Sequence, residues 1–237
     1  MIYIFGDSFA EPFPEIEWTW VNQVSSMLGH KQKNLGFGGS GLEYTFEQFE
    51  QYHDYITKDD LVIICLTNED RGYWFKQYPS VNTAEAVQYI LHKHTISKEE
   101  LVAIKYYQTY FLDIHKSKMI VNLKNFLNTI NNLAEKLQIK ILVINAVLEY
   151  KIDFTRYKNL LVSKGRLLEI SNKEIKNFKL VEELNKHWDK RPNHLCRSNH
   201  IVLANKVVDS IINNVVLDLT TEFHQNIIKE LTFSIEI

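Results

Sequence analysis

Apolar residues along this chain fall into two kinds of run, which alternate. Some are short β-branched or aliphatic stretches of strand length, and others are longer segments with apolar positions three and four apart. That alternation is the βαβ signature of a parallel sheet covered by helices on both faces. Ile2–Phe5 reads as the first strand. Residues 18–28 have helical spacing and close at Gly29, as a helix stop does. Residues 31–35 form a weak second strand, and the glycine-rich stretch 36–41 leads into a helical segment over 43–55. Leu61–Leu66 is apolar at every position, which marks a strand buried on both faces and the clearest strand in the chain.

Residues 67–97 hold few periodic apolar positions but several aromatics, among them Tyr73, Trp74, Phe75 and Tyr78, and a helix is predicted over 84–93. An excursion of this kind after a central strand forms a lid or pocket wall. Ser97 followed by Lys-Glu-Glu fits a helix N-cap with acidic residues in the first turn. Helical spacing then runs to about Leu137, with a break or bend near Ser117. Residues 139–145 read as the next parallel strand, 178–181 as a further short one, and a helix begins near Ser198. The tail from about Asp218 is open between helix and strand.

No repeat, low-complexity linker or domain boundary interrupts this pattern, so one domain over residues 1–237 is expected. With 45% hydrophobic and 24% charged residues, the 237-residue chain can bury a sizeable core. The formal net charge of -2, with both signs interspersed, gives no field to draw the protein to nucleic acid or an anionic membrane. A small-molecule partner of low charge fits better. The two cysteines, Cys65 and Cys196, make no disulfide framework and read as free thiols, consistent with a reducing cytoplasm. Nothing approaches the roughly 20 continuous apolar residues of a membrane span, and the N-terminal residues lack a signal-peptide pattern.

Gly6-Asp7-Ser8 follows the first strand directly. Ser8 therefore falls at the carboxyl end of a parallel strand, where open α/β sheets bind their ligands. Taken alone the tripeptide is equally a turn in which Asp7 and Ser8 cap the next helix. Three further segments change its weight: Asn34-Leu-Gly-Phe-Gly-Gly39 after the second strand, Leu66-Thr-Asn68 at the end of the strongest strand, and the stretch from Asp189 through His194 to His200 near the last helix.

In that order these blocks resemble the SGNH (GDSL-like) hydrolases, named for a serine, a glycine, an asparagine and a histidine. The resemblance implies a three-layer α/β/α sandwich of flavodoxin-like form with a mostly parallel five-stranded sheet. It also implies ester hydrolysis through an acyl-enzyme on Ser8, with His194 as general base and Ser8, Gly39 and Asn68 as the oxyanion hole. No cofactor or metal is implied. The sequence departs from the family in two places. The glycine of the Gly-x-Asn-Asp block is replaced by Leu66, and Arg191 stands where the acid three residues before the histidine should be. Asp189, five before, is the nearest carboxylate, and either it or a backbone carbonyl orients His194. The chemistry needs these groups together, because a serine hydroxyl is a poor nucleophile until an imidazole takes its proton.

Gly36-Phe-Gly38-Gly-Ser-Gly41 also satisfies the dinucleotide-binding pattern G-x-G-x-x-G, but no acidic residue ends the following strand, which ranks that reading low. The nine histidines are scattered, and the spacing of His194 and His200 matches no common zinc pattern. Two other functions use the same residues. One is an O-acyltransferase that passes the acyl group from Ser8 to a sugar hydroxyl, and the other is a binding or structural module that keeps the fold without turnover.

Overall fold

The computed structural model describes residues 1–13, 16–71, 97–110, 112–174 and 194–224. Five strands, β1 (Ile2–Phe5), β2 (Gln32–Asn34), β3 (Leu61–Leu66), β4 (Lys140–Asn145) and β5 (Leu160–Val162), make one sheet in the order β2-β1-β3-β4-β5. Every pairing is parallel. Among the described residues six α-helices accompany them: α1 (Trp20–Leu28), α2 (Leu42–Tyr52), α3 (Lys98–Tyr110), α4 (Leu112–Leu137), α5 (Leu167–Glu174) and α6 (Arg197–Asn213). Among the described residues no helix is long and apolar enough to cross a membrane.

Continuous apolar strands follow from having a core on each side. Alternate residues of one strand point to opposite faces. Ile2, Ile4, Ile63, Cys65, Leu142 and Ile144 pack with Trp20, Val24, Leu167, Leu203 and Val207 of α1, α5 and α6. Tyr3, Phe5, Val62, Ile64, Ile141 and Val143 pack instead with Leu42, Phe49, Leu123, Leu127 and Ile130 of α2 and α4. The result is a three-layer α/β/α arrangement. Each fully buried aliphatic or aromatic side chain contributes about 1.5–3 kcal/mol by leaving water.

Local signals read from the sequence recur with small shifts. Helix α1 starts at Trp20 rather than Trp18 and ends at Gly29 in the left-handed conformation, with the His30 and Gly29 N–H groups donating to Ser25 O and Ser26 O. The stretch expected as one helix over 43–55 is α2 followed by a short 3-10 turn, His53–Tyr55. No helix boundary falls at Ser117, which lies inside α4, whereas α3 ends at Tyr110 and α4 begins at Leu112. The Ser117 hydroxyl donates to Asp113 O one turn back (2.9 Å), so its hydrogen bond is satisfied within the helix. The fifth strand is Leu160–Val162, three residues that the sequence pattern did not separate from a loop. The strand expected at 178–181 and the helix expected at 84–93 lie outside the described residues. The start of the tail is neither helix nor strand: Asp218 forms a single parallel bridge with Lys164.

In this strand order β1 lies between β2 and β3, so the chain leaves β1 in opposite directions and opens a crevice at the carboxyl ends of β1 and β3. The loops that carry Ser8, Gly39 and Asn68 and the segment that carries His194 meet there.

Candidate active site

Asp7 leaves β1 completely buried. A buried carboxylate must be hydrogen-bonded or paired, and Asp7 is both. Its Oδ1 accepts the Phe9 N–H (3.1 Å) as an Asx turn, while its Oδ2 accepts the Thr67 hydroxyl (2.7 Å) and the Arg71 Nη1–H (3.1 Å). These bonds tie the loop after β1 to the loop after β3. Ser8, half-buried, stands in the turn they close, and the Ala10 N–H donates to Asp7 O (3.0 Å) to complete it.

The ring of the next residue, Phe9, is stacked on the imidazole of His194, with centroids 4.7 Å apart and planes 26° from parallel. Both side chains are buried, and the Phe9 carbonyl accepts the Trp20 indole N–H at 2.8 Å. His194 precedes α6 by three residues and is thereby held beside the Ser8 turn. Asp189 lies outside the described residues.

The loop after β2 is stitched to the same turn. Gly6 O accepts both the Phe37 N–H (3.0 Å) and the Ser40 hydroxyl (3.2 Å), and Asn34 bridges Ala10 O (2.7 Å) and the Gly36 N–H (2.9 Å). Residues 37–40 form a turn closed by the Ser40 N–H on Phe37 O (3.1 Å). Gly39 occupies its third position with φ of 76°, a conformation that favours glycine. Closing this turn uses the Ser40 N–H and not that of Gly39. At the end of β3, Asn68 is buried with its Oδ1 accepting the Asp70 N–H (3.4 Å), which engages the carbonyl end of its amide.

Gly36 and Gly41 in the same segment have packing reasons. A Cβ on Gly36 would stand 2.6 Å from the Ala10 carbonyl carbon, and one on Gly41 would stand 2.7 Å from Arg71 O. This segment also follows β2, at the sheet edge, rather than the first strand of its unit. Both observations account for the G-x-G-x-x-G pattern without a bound pyrophosphate.

His200 is far from idle. Its Nδ1 accepts the backbone N–H of Trp20 (3.1 Å), and its ring meets Trp18 edge-on at 5.3 Å. Thr19, the N-cap of α1, makes no side-chain capping bond, so the imidazole from α6 satisfies this helix start in its place.

Arg71 and Thr67 escaped the sequence reading, since no motif marks them. The available signal was physical: an aspartate directly after a central strand demands donors and a cation. Burial pushes the Cys65 thiol well up, and the charge of Asp7 adds to that. Burial also raises Asp70, helped by Glu69 and opposed by Lys116 at 3.5 Å. Among the described residues, no group of three or more His, Cys, Asp or Glu side chains could hold a metal ion. No protein-family model matches the chain, and no curated protein matches it.

Proposed function

We propose that this protein is a serine ester hydrolase of the SGNH type, forming an acyl-enzyme on Ser8. The observation that supports this most is the stacking of His194 on Phe9, a buried imidazole beside a serine turn at the switch point of a parallel sheet. In this reading His194 takes the Ser8 hydroxyl proton as Oγ attacks the acyl carbon, and then gives that proton to the leaving alcohol. Water, deprotonated by the same imidazole, cleaves the acyl-enzyme and regenerates Ser8.

The oxyanion of each tetrahedral intermediate is held by the Ser8 N–H, the Gly39 N–H and the Asn68 Nδ2–H. Engagement of Asn68 Oδ1 by Asp70 favours the donor end of that amide for the task. Losing one such donor costs about 10²–10³ in kcat. Asp189 or a backbone carbonyl orients His194, and the chemistry requires no cofactor. The substrate is a small acyl ester or an acetylated carbohydrate. Cys65 and Cys196 are buried and neither forms a disulfide, which suits a reducing cytoplasm.

Hydrolysis of p-nitrophenyl acetate and butyrate by wild type and Ser8→Ala tests the reading. A loss of about 10³-fold or more is expected on substitution. Equal rates in the two proteins would refute it.

A further inference from the structure

We infer that Arg71 is a positioning residue for all three donors of the proposed oxyanion hole, and the counter-charge that lets an oxyanion form beside Asp7. This rests on the hydrolase reading. Arg71 reaches each of the three loops at the crevice. Its Nη1 donates to Asp7 Oδ2 (3.1 Å) in the loop after β1 and to Ser40 O (3.2 Å) in the loop after β2, and its own N–H donates to Asn68 O (3.5 Å) in the loop after β3. Ser8 follows Asp7, Gly39 precedes Ser40, and Asn68 opens the turn that Arg71 closes. Each proposed donor is thus bonded neighbour to, or itself, a residue that Arg71 holds.

Arg71 is fixed in turn. Its carbonyl accepts the His115 Nε2–H from α4 (3.1 Å), and its backbone packs against Gly41, where any Cβ would collide with it. A planar guanidinium with several donors spans two acceptors on different loops, which a lysine ammonium does less rigidly. The charge matters separately. Asp7 is fully buried, and Arg71 is its ion-pair partner. An oxyanion bound by the N–H of the very next residue brings a second negative charge into the same low-dielectric region, where like charges repel strongly. The guanidinium offsets the first charge before the second develops.

The test is steady-state hydrolysis of p-nitrophenyl acetate by wild type, Ser8→Ala, Arg71→Ala, Arg71→Lys, Asp7→Asn and the double variant Asp7→Asn/Arg71→Ala, with thermal midpoints recorded for each. Arg71→Ala is expected to lower kcat about 10²-fold with KM changed little, and Arg71→Lys to recover part of the loss. Asp7→Asn in the Arg71→Ala background should restore kcat about tenfold, since asparagine still accepts the Phe9 N–H but carries no charge to repel the oxyanion. Arg71→Gln makes the same comparison where alanine prevents folding. Ser8-dependent turnover that survives Arg71→Ala within twofold would overturn the inference and leave the hydrolase reading standing. So would a kcat loss that the Asp7 substitution does not relieve. Turnover unchanged by Ser8→Ala would remove the reading and this inference together.

Discussion

The ring of Phe9 and the imidazole of His194 lie face to face at 4.7 Å, joining a turn at residue 9 to a segment nearly two hundred residues later. Phe9 is itself anchored by the Trp20 indole on its carbonyl, so the stack transmits the position of α1 to the histidine. An imidazole packed in this way keeps few orientations, which is what a base that must meet one hydroxyl requires. His194→Ala should therefore lower ester turnover nearly as far as Ser8→Ala, because residues acting as a unit are strongly non-additive. Phe9→Ala should lower kcat while retaining measurable activity. Single-turnover and steady-state kinetics on the three variants would show this ranking.

His200→Ala should cost stability rather than chemistry. Its Nδ1 accepts the N–H of Trp20, a residue only 1% exposed, and removing a partner from a buried donor costs about 1–3 kcal/mol. Urea unfolding should show that loss, with turnover per folded molecule within a few-fold of wild type. Abolished turnover with stability intact would reverse the roles assigned to the two histidines.

Asp70 supplies a test in pH. Its carboxyl is raised above its ordinary value, chiefly by burial, so ionising it costs the folded state more than the unfolded one. The cost is full above the raised value, fades as pH falls through it, and vanishes below the unfolded value. Asp70→Asn removes the charge at every pH. The variant should melt higher than wild type near pH 7, and the gap should close as the pH is lowered toward 4. Thermal melts at half-unit intervals would measure it, and a gap that widens in acid would contradict the assignment.

Both thiols should be silent in the native protein. Cys65 is fully buried with its pKa pushed well up, and Cys196 is 2% exposed. Ellman's reagent should titrate neither in buffer and both in 6 M guanidinium chloride; a fast-reacting thiol in the native protein would mean that the surroundings of that cysteine are more open than described.

The parallel sheet was legible because β1, β3 and β4 are apolar on both faces, a pattern that only a covered sheet produces. The three-residue β5 was not, because a strand so short carries no period. In the crevice, Ser8, Asn68 and His194 were named through the resemblance of their ordered blocks to a known hydrolase family, and each stands next to a strand end or helix start. The Arg71–Asp7 pair could not be named from sequence. It joins positions 64 residues apart whose meeting depends on the crossover from β1 to β3, which no local pattern encodes. His200 as the cap of α1 was hidden for the same reason, since its partner is 180 residues away.

The most direct measurement of the proposed chemistry is covalent labelling by a fluorophosphonate, followed by intact-mass and peptide mass spectrometry. A phosphonate accepts attack only from an activated hydroxyl and leaves a stable tetrahedral adduct in the oxyanion hole. One adduct per chain, on Ser8, absent in Ser8→Ala and slowed at least a hundredfold in His194→Ala, is the predicted result. An unlabelled wild-type protein, or equal labelling of wild type and Ser8→Ala, would contradict it.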